Sequence, residues 1–136
     1  MRRSLVVPLV ATAFLGVMAI GGVTVASATT PPTKTVTITG TACPKQTEYC
    51  YKSAALVVPR STKVVWKNAS QAPHTVTRCT VALCGVKAGT GKDPAFHSPT
   101  INPGKTYSFT FKHPGTYVYF CQFHGYPVMH GTITVK

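Results

Sequence analysis

The segment Cys121-Gln122-Phe123-His124-Gly125-Tyr126-Pro127-Val128-Met129 sets a thiol, an imidazole and a thioether in a C-x2-H-x4-M spacing, on what reads as a turn between two strands. Far upstream, Pro73-His74-Thr75 supplies a second imidazole at a strand start. One thiolate, two imidazoles and one thioether form a soft donor set of the kind that suits copper. Five cysteines is an odd count, and four of them fall into two close pairs, Cys43 with Cys50 and Cys79 with Cys84. Both pairs read as loop-like and polar, where a small domain in an oxidising compartment gains from local staples. Crossed pairings of the four stay open, because spacing alone does not set connectivity. Cys121 is the one left over. As a bare residue it reads as a small buried hydrophobe, and its His and Met neighbours argue for a ligand instead.

Other candidates have weaker contexts. His97 in Phe96-His97-Ser98-Pro99 and His113 before Pro114-Gly115 read as exposed loop or turn residues. His130 follows Met129 directly, so it points to the opposite side of the strand if Met129 points inward. Met1 and Met18 fall in the leading segment, which leaves Met129 as the only thioether beyond it. The acid inventory excludes several alternatives. Glu48 and Asp93 are the only carboxylate side chains, against 14 Lys and Arg, for a formal net charge of +12. Oxygen-rich Ca²⁺ or Mg²⁺ cages need several carboxylates, and acid-pair glycoside hydrolysis needs two placed together.

The elements that must position these donors are short strands. Val36 and Ile38 alternate with Thr35, Thr37 and Thr39. Lys63 to Lys67 is a β-rich run ending at Asn68, and His74 to Thr77 is extended after Pro73. Tyr107, Phe109 and Phe111 share one face; Tyr117, Tyr119 and Cys121 share another, and Ile133 and Val135 a third. Period-two alternation of β-branched and aromatic residues between Gly/Pro punctuation is the strand signal. Pro103-Gly104 and Pro114-Gly115 mark turns. Arg78 to Thr100 is the least regular stretch and is expected to be a long, partly structured loop, and no window carries a helical stripe. The chain of 136 residues, 44% hydrophobic, suffices for one compact core. An all-β sandwich or barrel is expected.

Residues 1–28 are a separate matter. Met1-Arg2-Arg3, the apolar run Leu5 to Val25 and Ala26-Ser27-Ala28 have the order of a secretory signal peptide. The rival reading is an uncleaved anchor, although Pro8, Gly16, Gly21 and Gly22 make a mediocre membrane helix. Residues 29–35 read as a short extended leader, and 36–136 as the domain. Export implies a periplasmic, extracellular or cell-surface location.

With these residues assembled, the chain resembles the cupredoxins. Trp66-Lys67-Asn68 before Pro73-His74 is similar to their first-ligand region. Gly115 to Cys121, continuing through Met129 to Val135, is similar to their C-terminal ligand loop, with the x2 and x4 spacings of the plastocyanin and pseudoazurin group. The likeness covers about Val36 to Lys136. It implies a Greek-key β-sandwich or barrel and one type 1 copper ion, cycling between Cu(I) and Cu(II), with ligands His74, Cys121, His124 and Met129. It also implies an electron carrier rather than an enzyme, because such a site leaves no open coordination position. The alternative use of the same ligands is copper storage, scavenging or delivery without electron shuttling.

In the same resemblance, Asn68 helps pin the His74 loop, although its bare pattern reads equally as a turn Asn with local bonds. Tyr117 is the tyrosine-corner residue or an ordinary core aromatic, and Trp66 belongs to the core. His124 is the electron port, framed by Gly125, Tyr126 and Pro127 with Ala72 and Pro73 opposite. Phe120, where plastocyanins usually carry Tyr, and the Cys79/Cys84 loop depart from the family pattern. The basic surface fits an acidic redox partner of a monomeric carrier, or peripheral association with an anionic membrane or wall polymer. A solvated face with no specific role is the plain alternative. Nucleic acid is disfavoured by export, sparse Arg and the lack of a recognisable motif.

Overall fold

The alternating segments fold into two four-stranded sheets. The computed structural model describes residues 29–41, 43 and 48–136; the signal-peptide reading of 1–28 lies outside them. One sheet joins β1 (Thr33–Thr39), β2 (Cys50–Lys52), β4 (Thr62–Asn68) and β6 (Thr106–Phe111) in the order β2-β1-β4-β6. The other joins β3 (Ala55–Val58), β5 (Thr77–Arg78), β7 (Gly115–Phe120) and β8 (His130–Val135) in the order β3-β8-β7-β5. β1 runs parallel to β4 and β3 parallel to β8, while the other neighbours are antiparallel.

Alternation explains what each strand buries. In β4, Thr62, Val64, Trp66 and Asn68 are buried while Lys63 and Lys67 face solvent. Val36, Ile38, Val64 and Trp66 from one sheet meet Tyr117, Tyr119, Ile133 and Val135 from the other in a single core. Trp66 is its centre, with the rings of Tyr119, Tyr107, Phe96 and Phe111 around it. Truncating a residue so enclosed costs about 3–5 kcal/mol.

Three features go beyond the sequence pattern. First, β1 begins at Thr33, ahead of the alternating residues, and Thr33–Thr35 pair in parallel with Lys63–Val65. These residues are exposed throughout, and a strand without a buried face shows no alternation to read. Second, Cys50 and Cys79 are buried, Cys50 as the first residue of β2 and Cys79 in the loop directly after β5. Third, the irregular stretch contains a one-turn helix, α1 (Val81–Cys84), followed by a 3-10 turn at Gly85–Lys87. Neither buries a residue, so an amphipathic stripe is not available. Disulfides join Cys43 to Cys50 and Cys79 to Cys84, which are the local pairs, and Cys121 is free and buried.

The irregular stretch is anchored by Asp93. This carboxylate is buried and accepts hydrogen bonds from the backbone N–H groups of Lys112 (2.9 Å) and His113 (3.3 Å) and pairs with His113 Nδ1 at 2.6 Å. Burial pushes its carboxyl pKa up, but the bonds from His113 and Lys112 more than offset this and hold it below the usual value. The Tyr117 hydroxyl donates to the carbonyl of His113, four residues back, at 2.7 Å. That is the tyrosine-corner bond. Arg78 lies over the Tyr117 ring and donates to the carbonyls of Asp93 and Gly91.

Candidate metal centre

Each donor is delivered by a different device. β4 ends at Asn68, whose side chain organises the turn that follows. Its Nδ2 donates to the carbonyls of Ala72 and Ile101, both at 2.8 Å. Its Oδ1 accepts from Ser70 N at 2.9 Å and Ser70 Oγ at 2.8 Å. Asn68 therefore does pin the His74 loop, and it does so through Ser70, whose Oγ lies 2.9 Å from His74 Nε2. With the Ser70 hydroxyl proton given to Asn68, His74 donates from Nε2 and keeps a lone pair on Nδ1. That atom faces the Cys121 sulfur at 3.8 Å. Backbone pairing with Ile101 fixes His74 from the other side.

Cys121 follows the last residue of β7. Its Sγ accepts the Thr75 N–H at 3.4 Å, and Thr75 is itself held by the Tyr51 hydroxyl, which donates to its carbonyl at 2.5 Å. The loop after Cys121 turns back through two bonds to one carbonyl: His124 N at 3.3 Å and Gly125 N at 2.9 Å both donate to Cys121 O. Gly125 has a φ of +74°, which a side chain would strain. The turn carries His124 Nδ1 to 3.3 Å from the Cys121 sulfur. Met129 closes it: its N–H donates to Gly125 O, and its carbonyl accepts from Cys121 N at 3.0 Å. Its side chain is buried in the core.

Thus the ligand atoms of His74, Cys121 and His124 lie within 4.8 Å of one another. The two imidazoles are stacked, with centroids 5.1 Å apart and planes 29° from parallel. Burial, and then repulsion from His124, lower the His74 pKa to about 4. The imidazole is therefore neutral, and free to offer its lone pair, through the physiological range. A thiol and two imidazoles with Nδ1 atoms facing its sulfur make a donor set that fits copper.

The set-aside histidines lie elsewhere. His97 is exposed, 3.1 Å from Thr77 Oγ1. His113 is occupied by Asp93. His130 is exposed on the far side of its strand, stacked on Tyr126 with Nδ1 2.8 Å from the Tyr126 carbonyl. Ser70, Thr75 and Tyr49 are parts of the centre that sequence reasoning misses. For Ser70 a signal exists, since Asn68-Ala69-Ser70 has the spacing of an Asx turn. Thr75 and Tyr49 act across long sequence gaps and carry none.

The family model described as copper binding proteins, plastocyanin/azurin family, matches residues 38–136. Plastocyanin of Scenedesmus fuscus is 31% identical over 87 residues, which is 63% of this chain and 86% of that protein. Amicyanin-alpha of Methylorubrum extorquens is 29% identical over 86 residues, 63% of this chain and 64% of that protein. Among solved structures, a purple cupredoxin from Nitrosopumilus maritimus superimposes with a TM-score of 0.58 at 26% identity, over 75% of this chain and 98% of that one. A reduced Cu(I) form of an amicyanin mutant superimposes with a TM-score of 0.54 at 26% identity, over 80% and 87% of the two chains.

Proposed function

This chain belongs to the plastocyanin/azurin family of copper-binding proteins, and from that premise we propose that it is an exported type 1 blue copper protein that carries single electrons, with His74, Cys121, His124 and Met129 as ligands. The observation that carries the reading is the convergence of His74, Cys121 and His124 ligand atoms within 4.8 Å. When bound, copper supplies a one-electron Cu(I)/Cu(II) couple. The chain supplies the rest.

Cys121 is fully buried with the Thr75 N–H aimed at its sulfur, so a thiolate there is stabilised and shielded from disulfide exchange. Asn68 and Ser70 hold the His74 ring, which limits rearrangement between oxidation states. His124 is half-buried, and Phe123 and Val128 on the same loop are 55% and 48% exposed. Pro73, next to His74, and Pro127 are exposed as well, and exposed apolar residues so close in sequence to the two imidazoles suit a small, transient redox interface. The basic surface would steer an acidic partner to it. A filled donor set leaves no position for substrate, so no catalytic turnover is proposed.

Copper-loaded protein should absorb intensely in the visible through thiolate-to-copper charge transfer. The band should bleach on reduction and be lost in Cys121→Ser. A colourless protein that takes only Cu(I) would favour storage or delivery, and failure to bind copper would sink both.

A further inference from the structure

The Tyr49 ring lies against both imidazoles of the candidate centre. Its centroid is 4.9 Å from that of His74, edge to face at 64°, and 5.3 Å from that of His124. With the 5.1 Å between the histidines, the three rings form a nearly equilateral cluster. Tyr49 immediately precedes Cys50, which opens β2 opposite Thr39 and is bridged to Cys43. The ring sits over Gly40, where even a Cβ would come within 3.2 Å of it. Tyr49 and Ser70, each in contact with an imidazole, also wall a cleft of about 340 Å³ together with Thr39, Thr41, Glu48 and Gln71. The ring therefore stands between that cleft and the histidines.

We propose that Tyr49, tethered by the Cys43–Cys50 bridge, is a positioning residue that fixes both imidazoles and keeps cleft water from the copper site, raising its reduction potential. The proposal rests on the copper-ligand reading above. Water near the imidazoles stabilises the more highly charged Cu(II) state more than Cu(I), so excluding it favours reduction.

The test compares wild type, Tyr49→Phe, Tyr49→Ala and a Cys43→Ser/Cys50→Ser double variant. In metal-free wild type, nuclear Overhauser contacts should link the Tyr49 ring to both imidazoles; their absence overturns the packing whether or not copper binds. In copper-loaded protein, Tyr49→Ala should shift the Cu(II)/Cu(I) preference toward Cu(II) by on the order of tenfold, which is about 59 mV for one electron. Tyr49→Phe should restore the wild-type value. An unchanged potential in Tyr49→Ala overturns the water-exclusion role. Wild-type ring contacts retained in the double serine variant overturn the tether. A wild type that takes up no copper while keeping the ring contacts overturns the electron-carrier reading and the redox role with it, and leaves the packing established.

Discussion

Burial keeps the His74 imidazole from taking up a proton, which leaves its lone pair free for the ligand role proposed for it. Its folded pKa, about 4, lies below the unfolded value of 6.5. The unfolded chain therefore takes up the proton first as pH falls. Stability of the metal-free protein should be complete above about pH 6.5 and decline by about 1.4 kcal/mol per pH unit toward pH 4. Urea melts across that window check this, and His74→Gln should flatten the slope. Ser70 holds the same ring at Nε2. Ser70→Ala should leave the fold intact and weaken copper binding about 10- to 100-fold in a chelator competition, the usual cost of losing a ligand's supporting hydrogen bond. The closeness of Cys121 and His124 is legible because it is local in sequence. His74 is legible from its proline and strand context. Thr75 N–H reaching a sulfur 46 residues away is not, since only the folded sandwich brings them together.

Among the elements, legibility follows burial. β4, β7 and β8 each have a buried and a partly or fully exposed face, and the alternation in their residues is plain. β2 is three residues long, and β3 is an unbroken apolar run, Ala55-Leu56-Val57-Val58, in which Val57 is exposed. Neither offers a period to detect. Tyr117 in β7 reads from sequence as a core aromatic or a corner; its hydroxyl decides for the corner. Tyr117→Phe removes the bond to His113 O and the acceptor for Asp93 N. It should cost about 1–3 kcal/mol, read as a lower denaturant midpoint at unchanged m value.

Over the whole molecule, charge is even more one-sided at the surface than in composition. Of the two carboxylate side chains, Asp93 is 3% exposed and committed to His113 and Lys112, which leaves Glu48 to face solvent. Electron transfer with an acidic partner should therefore slow by about tenfold or more between low salt and about 0.5 M NaCl, as stopped-flow rates would show. An invariant rate would remove steering from the account. The bridges carry a different consequence, one of timing. They join cysteines only 7 and 5 positions apart in sequence, and short loops close at a small entropic cost. Both pairs also precede Cys121 as the chain emerges from its N-terminus. If the chain is exported as proposed, the four upstream thiols can consume one another before the fifth has folded into reach, an order of sulfurs that would leave Cys121 the free thiol.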